Sequence, residues 1–408
     1  MSGGLDTDIA RHRLRSRLDR AVAAMPEQPP TPTVVVDLDA FDANAADLVR
    51  RAGGKPVRVA SKSLRVPALI GRALAVPGFA GVLSYALREA LWLHREGICR
   101  DVLMGYPSVD RVALRALVTD PAAAAAVTLM VDDVAQLDLV DALRDQQRVT
   151  VRVAVDVDAG LRVGGARVGP RRSPLFAATD VLGMAHEVAR RPGFALVGVM
   201  TYEGQVAGVP DDVPRQPARS LAVRGLKAAS VHQLTRRRRE IAAGLAEVAD
   251  LALWNAGGSG SIESSAADPV VTEVTAGSGL LAPGLFDDYR SFDPRPAGFF
   301  GLRVVRRPAR DCVTVAGGGL IASGPTGKDR SPLPWAPPQL RLTTLEGAGE
   351  VQTPLVGAGA ASLSIGDLVW FRHAKSGELA EHTPTVHLLS DARIVDSVPT
   401  YRGTGNTW

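Results

Sequence analysis

Lys62 closes the apolar run Val57-Arg58-Val59-Ala60-Ser61. A lysine at the end of a buried strand is partly desolvated, which lowers its pKa and frees the neutral amine for Schiff-base formation with an aldehyde. The plainer alternative is a lysine that snorkels out of the strand end into water. Far downstream, Trp254-Asn255-Ala256-Gly257-Gly258-Ser259-Gly260-Ser261 follows another apolar run. Glycines let backbone amides approach a phosphate closely, and Ser259 and Ser261 add hydroxyl donors. A second small-residue turn, Ala276-Gly277-Ser278-Gly279, comes soon after. One such turn is more often only a turn; two, each behind a strand, point to phosphate. Tyr202, in Met200-Thr201-Tyr202-Glu203-Gly204-Gln205, ends a further strand and is either a core aromatic or a wall for a flat ring. Lysine, aromatic and paired phosphate loops are together the inventory that a phosphorylated aldehyde cofactor requires.

Other groups are less sharply placed. Arg162 and Arg167 follow Asp156-Val157-Asp158-Ala159-Gly160 and suit a ligand hydroxyl or carboxylate, or simply a loop surface. Near the C-terminus Arg372-His373, Glu378, Glu381-His382 and His387 gather three of the seven histidines. Imidazole and carboxylate together suit a divalent metal or proton transfer, although the spacing matches no sharp metal signature. The basic run Arg236 to Arg239 sits inside a polar–apolar helical pattern and reads as a solvated helix face.

The elements that must position these groups alternate. Short β-branched runs, Thr33–Asp39, Val57–Ser61, Gly81–Ser84, Asp101–Met104, Val127–Val131, Val149–Val157, Ala195–Thr201, Leu251–Asn255 and Val270–Val274, are separated by helical patterns. Repeated βα units imply a parallel sheet. With the first run set aside, eight remain, the count of a (β/α)8 TIM-type barrel; a doubly wound open sheet is the rival. The barrel is favoured because Lys62, Tyr106, Asp156, Tyr202 and both glycine loops fall at strand C-terminal ends, where barrels keep their chemistry, phosphate often after strands seven and eight. Past residue 285 proline and glycine become frequent and short strand-like runs follow, among them Leu302–Val305, Leu368–Phe371 and Val386–Leu388, so a mostly β domain closes the chain. The expected division is a helical extension over 1–32, a barrel over 33–285 and a β domain over 286–408. Ser323–Pro338 reads as a long irregular loop, a type that is often functional.

Composition narrows the class. With 46% hydrophobic and 22% charged residues and a net charge of +4 over 408 residues, nothing suggests a nucleic-acid surface. Two cysteines make no disulfide framework and fit a reducing compartment. The N-terminal stretch reads as an amphipathic helix capped around Asp6 to Asp8 and not as a signal peptide, and no apolar run is long enough to span a membrane. A cytoplasmic enzyme is expected.

In their order along the chain, Val-Ala-Ser-Lys62, Asp158-Ala-Gly-Leu-Arg162, Thr-Tyr202-Glu-Gly, Gly257-Gly-Ser-Gly-Ser261 and Ala276-Gly-Ser-Gly279 resemble fold-type III pyridoxal-phosphate enzymes. These have an alanine-racemase-like barrel followed by a β domain. The D-threonine aldolase and D-serine dehydratase branch, with the actinobacterial amino-acid deaminase/aldolase proteins, is the most similar part of that family. The resemblance implies that Lys62 carries pyridoxal phosphate (PLP) as a Schiff base. It also implies that Asn255, Gly258, Ser259, Gly260, Ser261, Gly277, Ser278 and Gly279 surround the phosphate end, with Tyr202 at the ring and Arg162 or Arg167 near its hydroxyl. It further implies a divalent metal (Mn, Mg or Zn) on a C-terminal histidine: His382 fits, the residue two positions on is Pro384 where Cys or Asp is expected, and the alternatives are His387, Glu381 or His373 as substitute ligand, or catalysis without metal. His382, or a metal-bound hydroxide near it, is the expected base for a substrate hydroxyl. The implied activity is a lyase cleaving the Cα–Cβ bond of a D-β-hydroxy-α-amino acid. The alternatives are a D-amino-acid dehydratase, a racemase with Tyr289 or Tyr401 as second base, and a PLP homeostasis protein without turnover. The expected partners are a small amino-acid substrate and a second copy of the chain as a homodimer. The ending Tyr401-Arg402-Gly403-Thr404-Gly405-Asn406-Thr407-Trp408 is either a disordered tail or a segment docked near the site.

Overall fold

The computed structural model of the chain describes residues 2–144 and 149–408, with side chains from residue 7 onward. The first strand, β1 (Thr33–Asp37), precedes eight others that close on themselves: β2 (Val57–Ala60), β3 (Phe79–Ser84), β4 (Val102–Met104), β5 (Val127–Val131), β6 (Val151–Asp156), β7 (Phe194–Thr201), β8 (Leu253–Ala256) and β9 (Glu273–Ala276). Each is parallel to the next, and β9 returns to β2 with Val274 opposite Val57. The open-sheet alternative is thereby settled in favour of the barrel. These strands are apolar and β-branched on both faces because the crossover helices cover one face and the barrel interior the other. Asp110, Asp120 and Asp133 each cap a crossover helix by accepting its first-turn amides, which fixes where the chain turns back. Below the site the interior is polar: Arg58 donates to both carboxylate oxygens of Glu273 at 2.7 and 2.8 Å, and Glu273 also accepts from Asn255.

The C-terminal part is a nine-stranded sheet centred on β10 (Gly298–Ala309), which pairs with Cys312–Ala316 and Leu368–Arg372. Strand β1 belongs here. It runs antiparallel to β10 and parallel to Thr385–Ser390, so it fills a gap in the C-terminal sheet and takes no part in the barrel. The helix Ser2–Ala23 follows it: Leu18, Ala21 and Val22 bury themselves against Val35, Phe299 and Trp370. Periodicity identifies β1 as a strand but carries no information on its partners. Because the helix starts at Ser2, Asp8 lies inside it and caps nothing; the side chain of Asp6 lies outside the described residues. Within the expected loop Ser323–Pro338, Leu333–Ala336 forms a strand against Leu368–Arg372. No helix among the described residues is long and apolar enough to cross a membrane.

Candidate active site

At the C-terminal ends of the barrel strands lies a cavity of about 460 Å³, within the range that holds small ligands. The barrel supplies its floor through Lys62, Tyr106, Tyr202, Asn255 and both glycine loops. The C-terminal domain of the same chain supplies its roof through Ser323, Arg330, Lys375, Ser376 and Glu378. Floor and roof meet at Gly377, whose φ is +98° and whose backbone presses on the Lys62 carbonyl so closely that no Cβ would fit.

One end of the cavity is a cradle of neutral donors. Gly257, Gly258 and Ser259 follow β8, and Gly277 and Ser278 follow β9. A Cβ on Gly277 would lie 2.6 Å from the Ala60 carbonyl oxygen, so only glycine brings the loop this close to β2. The Ser278 and Ser63 hydroxyls stand 3.1 Å apart, and Ser259 Oγ accepts from Gly279 N–H at 2.9 Å, tying the two loops together. Glu203 anchors them from behind. This buried carboxylate accepts from the hydroxyls of Ser261 (2.7 Å) and Ser265 (2.5 Å) and from Gly257 N–H, and it pairs with Arg238, which also grips Asp268. Here the basic run departs from its expected role. Arg236 is exposed and pairs with Glu240, as on a solvated face, but Arg237 and Arg238 are 6% and 2% exposed and point into the barrel top. A helix turns 100° per residue, so a run of four arginines necessarily places some of them inward.

The other end is reactive. Lys62 Nζ donates to the Tyr106 hydroxyl at 2.8 Å. Burial alone would raise the Tyr106 phenol, but the Lys62 ammonium and then Arg172 more than offset it and hold the phenol below its usual range. Tyr202, by contrast, is pushed up by burial. The Arg172 guanidinium sits 5.6 Å from the Tyr106 ring and 5.4 Å from the Tyr202 ring. Sequence reasoning noted Tyr106 at a strand end without giving it a role, and it missed Arg172, which lies in an aperiodic loop.

Of the expected site residues, Lys62, Tyr202, Asn255, Gly258, Ser259, Gly277 and Ser278 line the cavity. Ser261 and Gly279 lie behind it, bonded to Glu203 and Ser259, and Gly260 packs closely against Ala207 and Tyr289. Arg162 is elsewhere: its guanidinium stacks 3.5 Å over Phe176 and pairs with Asp158 at 3.5 Å. His382 is exposed and outside the cavity lining. His387 is buried in the sheet with Nδ1 2.8 Å from Ser397 Oγ. Glu381 is held between Arg65 and Arg402. The remaining histidine of the group, His373, is pushed down to about 4 by burial and by Arg372, so it is a neutral core residue beside Ser376. Among the described residues no three His, Cys, Asp or Glu side chains form a metal-binding group. The donors needed to hold a divalent ion at His382 and His387 are therefore not assembled. Tyr289 lines its own chain's cavity and donates to the Ala207 carbonyl, while Tyr401 is buried and donates to Glu89 at 2.7 Å. The C-terminal segment docks: Trp92, Tyr401 and Trp408 form one aromatic cluster.

Asp156, at the end of β6, is pushed up to about 7 by burial and then by neighbouring Asp132. The folded protein thus holds this proton more tightly than the unfolded chain between about pH 4 and 7. The stabilisation is complete below that window and lost as pH rises through it. Asp156→Asn, which mimics the protonated acid, is expected to flatten this loss, read as urea midpoints at pH 5 and pH 8.

Residues 36–281 match the family described as alanine racemase, N-terminal domain. A D-threonine aldolase of Arthrobacter sp. is 31% identical over 261 residues, a match that spans 62% of this chain and 62% of that protein's length. Among solved structures, D-threonine aldolase from Filomicrobium marinum superimposes with a TM-score of 0.75 at 21% identity, covering 92% of this chain and 95% of that one. D-threo-3-hydroxyaspartate dehydratase from Delftia sp. gives 0.69 at 20% identity, covering 93% and 98%. An alanine racemase of Clostridium difficile 630 gives 0.61 at 14%, covering 91% and 99%. With a lysine at the first barrel strand, phosphate-type loops at the last two and a β domain as roof, the chain belongs to the alanine racemase N-terminal-domain family, the fold-type III pyridoxal-phosphate proteins.

Proposed function

We propose that the protein is a PLP-dependent lyase that cleaves the Cα–Cβ bond of a D-β-hydroxy-α-amino acid, giving an aldehyde and glycine or another simple amino acid. The observation that carries this reading is the Lys62–Tyr106 contact of 2.8 Å in a cavity that ends in a phosphate-type cradle. The residues fit the cofactor: Lys62 to hold it covalently, Gly258, Ser259, Gly277 and Ser278 to hold its phosphate, and Tyr202 to flank its ring. When bound, PLP supplies an electron sink for the pair released at Cα. Tyr106, with its phenol held low, takes the proton of the β-hydroxyl as the Cα–Cβ bond breaks and the aldehyde carbonyl forms. Lys62, once its amine is free, would return a proton to Cα. The roof excludes water while charge is separated. A dehydratase is the second reading, since Lys62 is equally placed to remove a proton from Cα. A homodimer in the cytoplasm belongs to the same proposal, and the oligomeric state is testable by light scattering.

The deciding assay incubates PLP-loaded protein with D- and L-threonine and their allo forms, and with 3-hydroxyaspartate. Acetaldehyde and glycine from the D-isomers support the aldolase, 2-oxobutyrate and ammonia the dehydratase, and the absence of aldehyde and of 2-oxo acid from both threonine and 3-hydroxyaspartate removes both readings. Because the histidines do not assemble a metal site, prior dialysis against EDTA is expected to change kcat by less than about twofold, a free-energy effect below about 0.5 kcal/mol.

A further inference from the structure

The charges around the cavity do not balance. Five cations line it, Lys62, Arg65, Arg172, Arg330 and Lys375, and Glu378 is the single acid. Arg65 is committed to Glu381 at 2.5 Å. Lys62 is committed to Tyr106 and, in the proposed function, to the cofactor. The remaining three form no ion pair inside the cavity. Among the described residues Arg172 and Lys375 have no carboxylate within ion-pair distance. Arg330 reaches only its exposed neighbour Asp329, at 3.5 Å. Glu378 is itself engaged, accepting from Ser323 N–H at 2.9 Å.

The phosphate cradle gives these cations no task, because its donors are backbone amides and serine hydroxyls. Lys375 donates to Ser323 Oγ at 2.6 Å, which pins the ammonium in the roof. It lies near enough to Glu378, and then to Lys62, Arg330 and Tyr106, for their charges to bear on it; Glu378 is beyond ion-pair distance and held by Ser323, and the group as a whole places Lys375 towards the reacting end. An amino acid brings one α-carboxylate, and one arginine satisfies that bidentately. Two further half-buried cations at the same end, Arg330 and Lys375, repel one another unless a second anion arrives with the substrate.

Resting on the reading of this cavity as a PLP amino-acid site, we infer that Arg330 and Lys375 form a subsite for a second carboxylate, so that the substrate carries an acidic side chain. Chemically this is a β-hydroxy D-amino acid of the dicarboxylic class. The C-terminal domain thereby chooses the side chain while the barrel handles the cofactor.

The test is a titration of PLP-loaded protein with D-aspartate and with D-alanine, neither of which has a β-hydroxyl to cleave, followed by the cofactor's absorbance. Wild type is expected to bind D-aspartate at least about tenfold tighter. The preference should shrink in high salt, disappear in Lys375→Met and Arg330→Leu, and return in Lys375→Arg. Equal affinities in wild type, or a preference unchanged in both neutral variants, overturn the subsite. If both ligands weaken equally, the cations serve the α-carboxylate and the inference also falls. Two variants guard against one that fails to fold. If no cofactor binds, calorimetry with the same two ligands on the protein alone decides the subsite separately from the cofactor reading.

Discussion

Lys62→Ala is expected to lower kcat by a factor on the order of 10⁴ or more, the scale on which loss of a group that acts covalently is felt. The same variant should lose the visible absorption band of the loaded protein, the band that borohydride bleaches in wild type. Two readouts are needed because Lys62 makes two contributions. It holds the cofactor, and it stands 2.8 Å from Tyr106, whose phenol it keeps low. Removing the ammonium therefore also returns Tyr106 towards the upward shift that burial imposes. Added methylamine is expected to restore part of the turnover, since a free amine can substitute for the lost side chain. A variant that retains both the band and the rate would remove Lys62 from the chemistry altogether.

The second large effect concerns stability. Arg238→Leu leaves Glu203 and Asp268, with side chains 2% and 0% exposed, without their shared cation. Breaking a buried ion pair from one side costs about 3–5 kcal/mol, because the orphaned carboxylates stay desolvated. Urea unfolding should show the loss as a lower midpoint at unchanged slope. Cofactor retention should fall with it, since Glu203 holds Ser261, Ser265 and the amide of Gly257. Arg239→Leu is the control: its neighbour in sequence is exposed, and a change within about 0.5 kcal/mol is expected.

Much of this was legible in the sequence, for identifiable reasons. Strands of a closed parallel barrel are mostly apolar, so all eight were visible as β-branched runs, and the order of those runs placed Lys62 and the glycine loops at one end. The cradle was legible because close backbone approach restricts residue type, as at Gly277. What escaped depends on tertiary partners. Arg172 sits in a loop without periodicity, Arg330 and Lys375 reach the cavity only because the sheet folds over it, and β1, set aside from the barrel count, shows nothing of its partners in the other sheet. Arg162, chosen by motif, finds its energy in Phe176 and Asp158 instead of in the cavity. His382 and His387 are close in sequence, but strand geometry gives one to solvent and the other to Ser397.

The placement of β1 bears on how the protein is made. This strand leaves the ribosome early, yet its hydrogen-bond partners are Gly298–Ala309 and Thr385–Ser390. The barrel strands that follow it can pair with neighbours a few dozen residues away, as synthesis proceeds. Strand β1 has to stay unpaired, with Val34, Val35 and Val36 exposed, until its first partner Gly298–Ala309 has been made, and its second edge stays open until Thr385–Ser390 follows. Contacts of such long sequence separation form late and slowly. A nascent barrel therefore carries a loose apolar edge for most of its synthesis, an edge that invites holdase chaperones and, at high expression, pairing between chains.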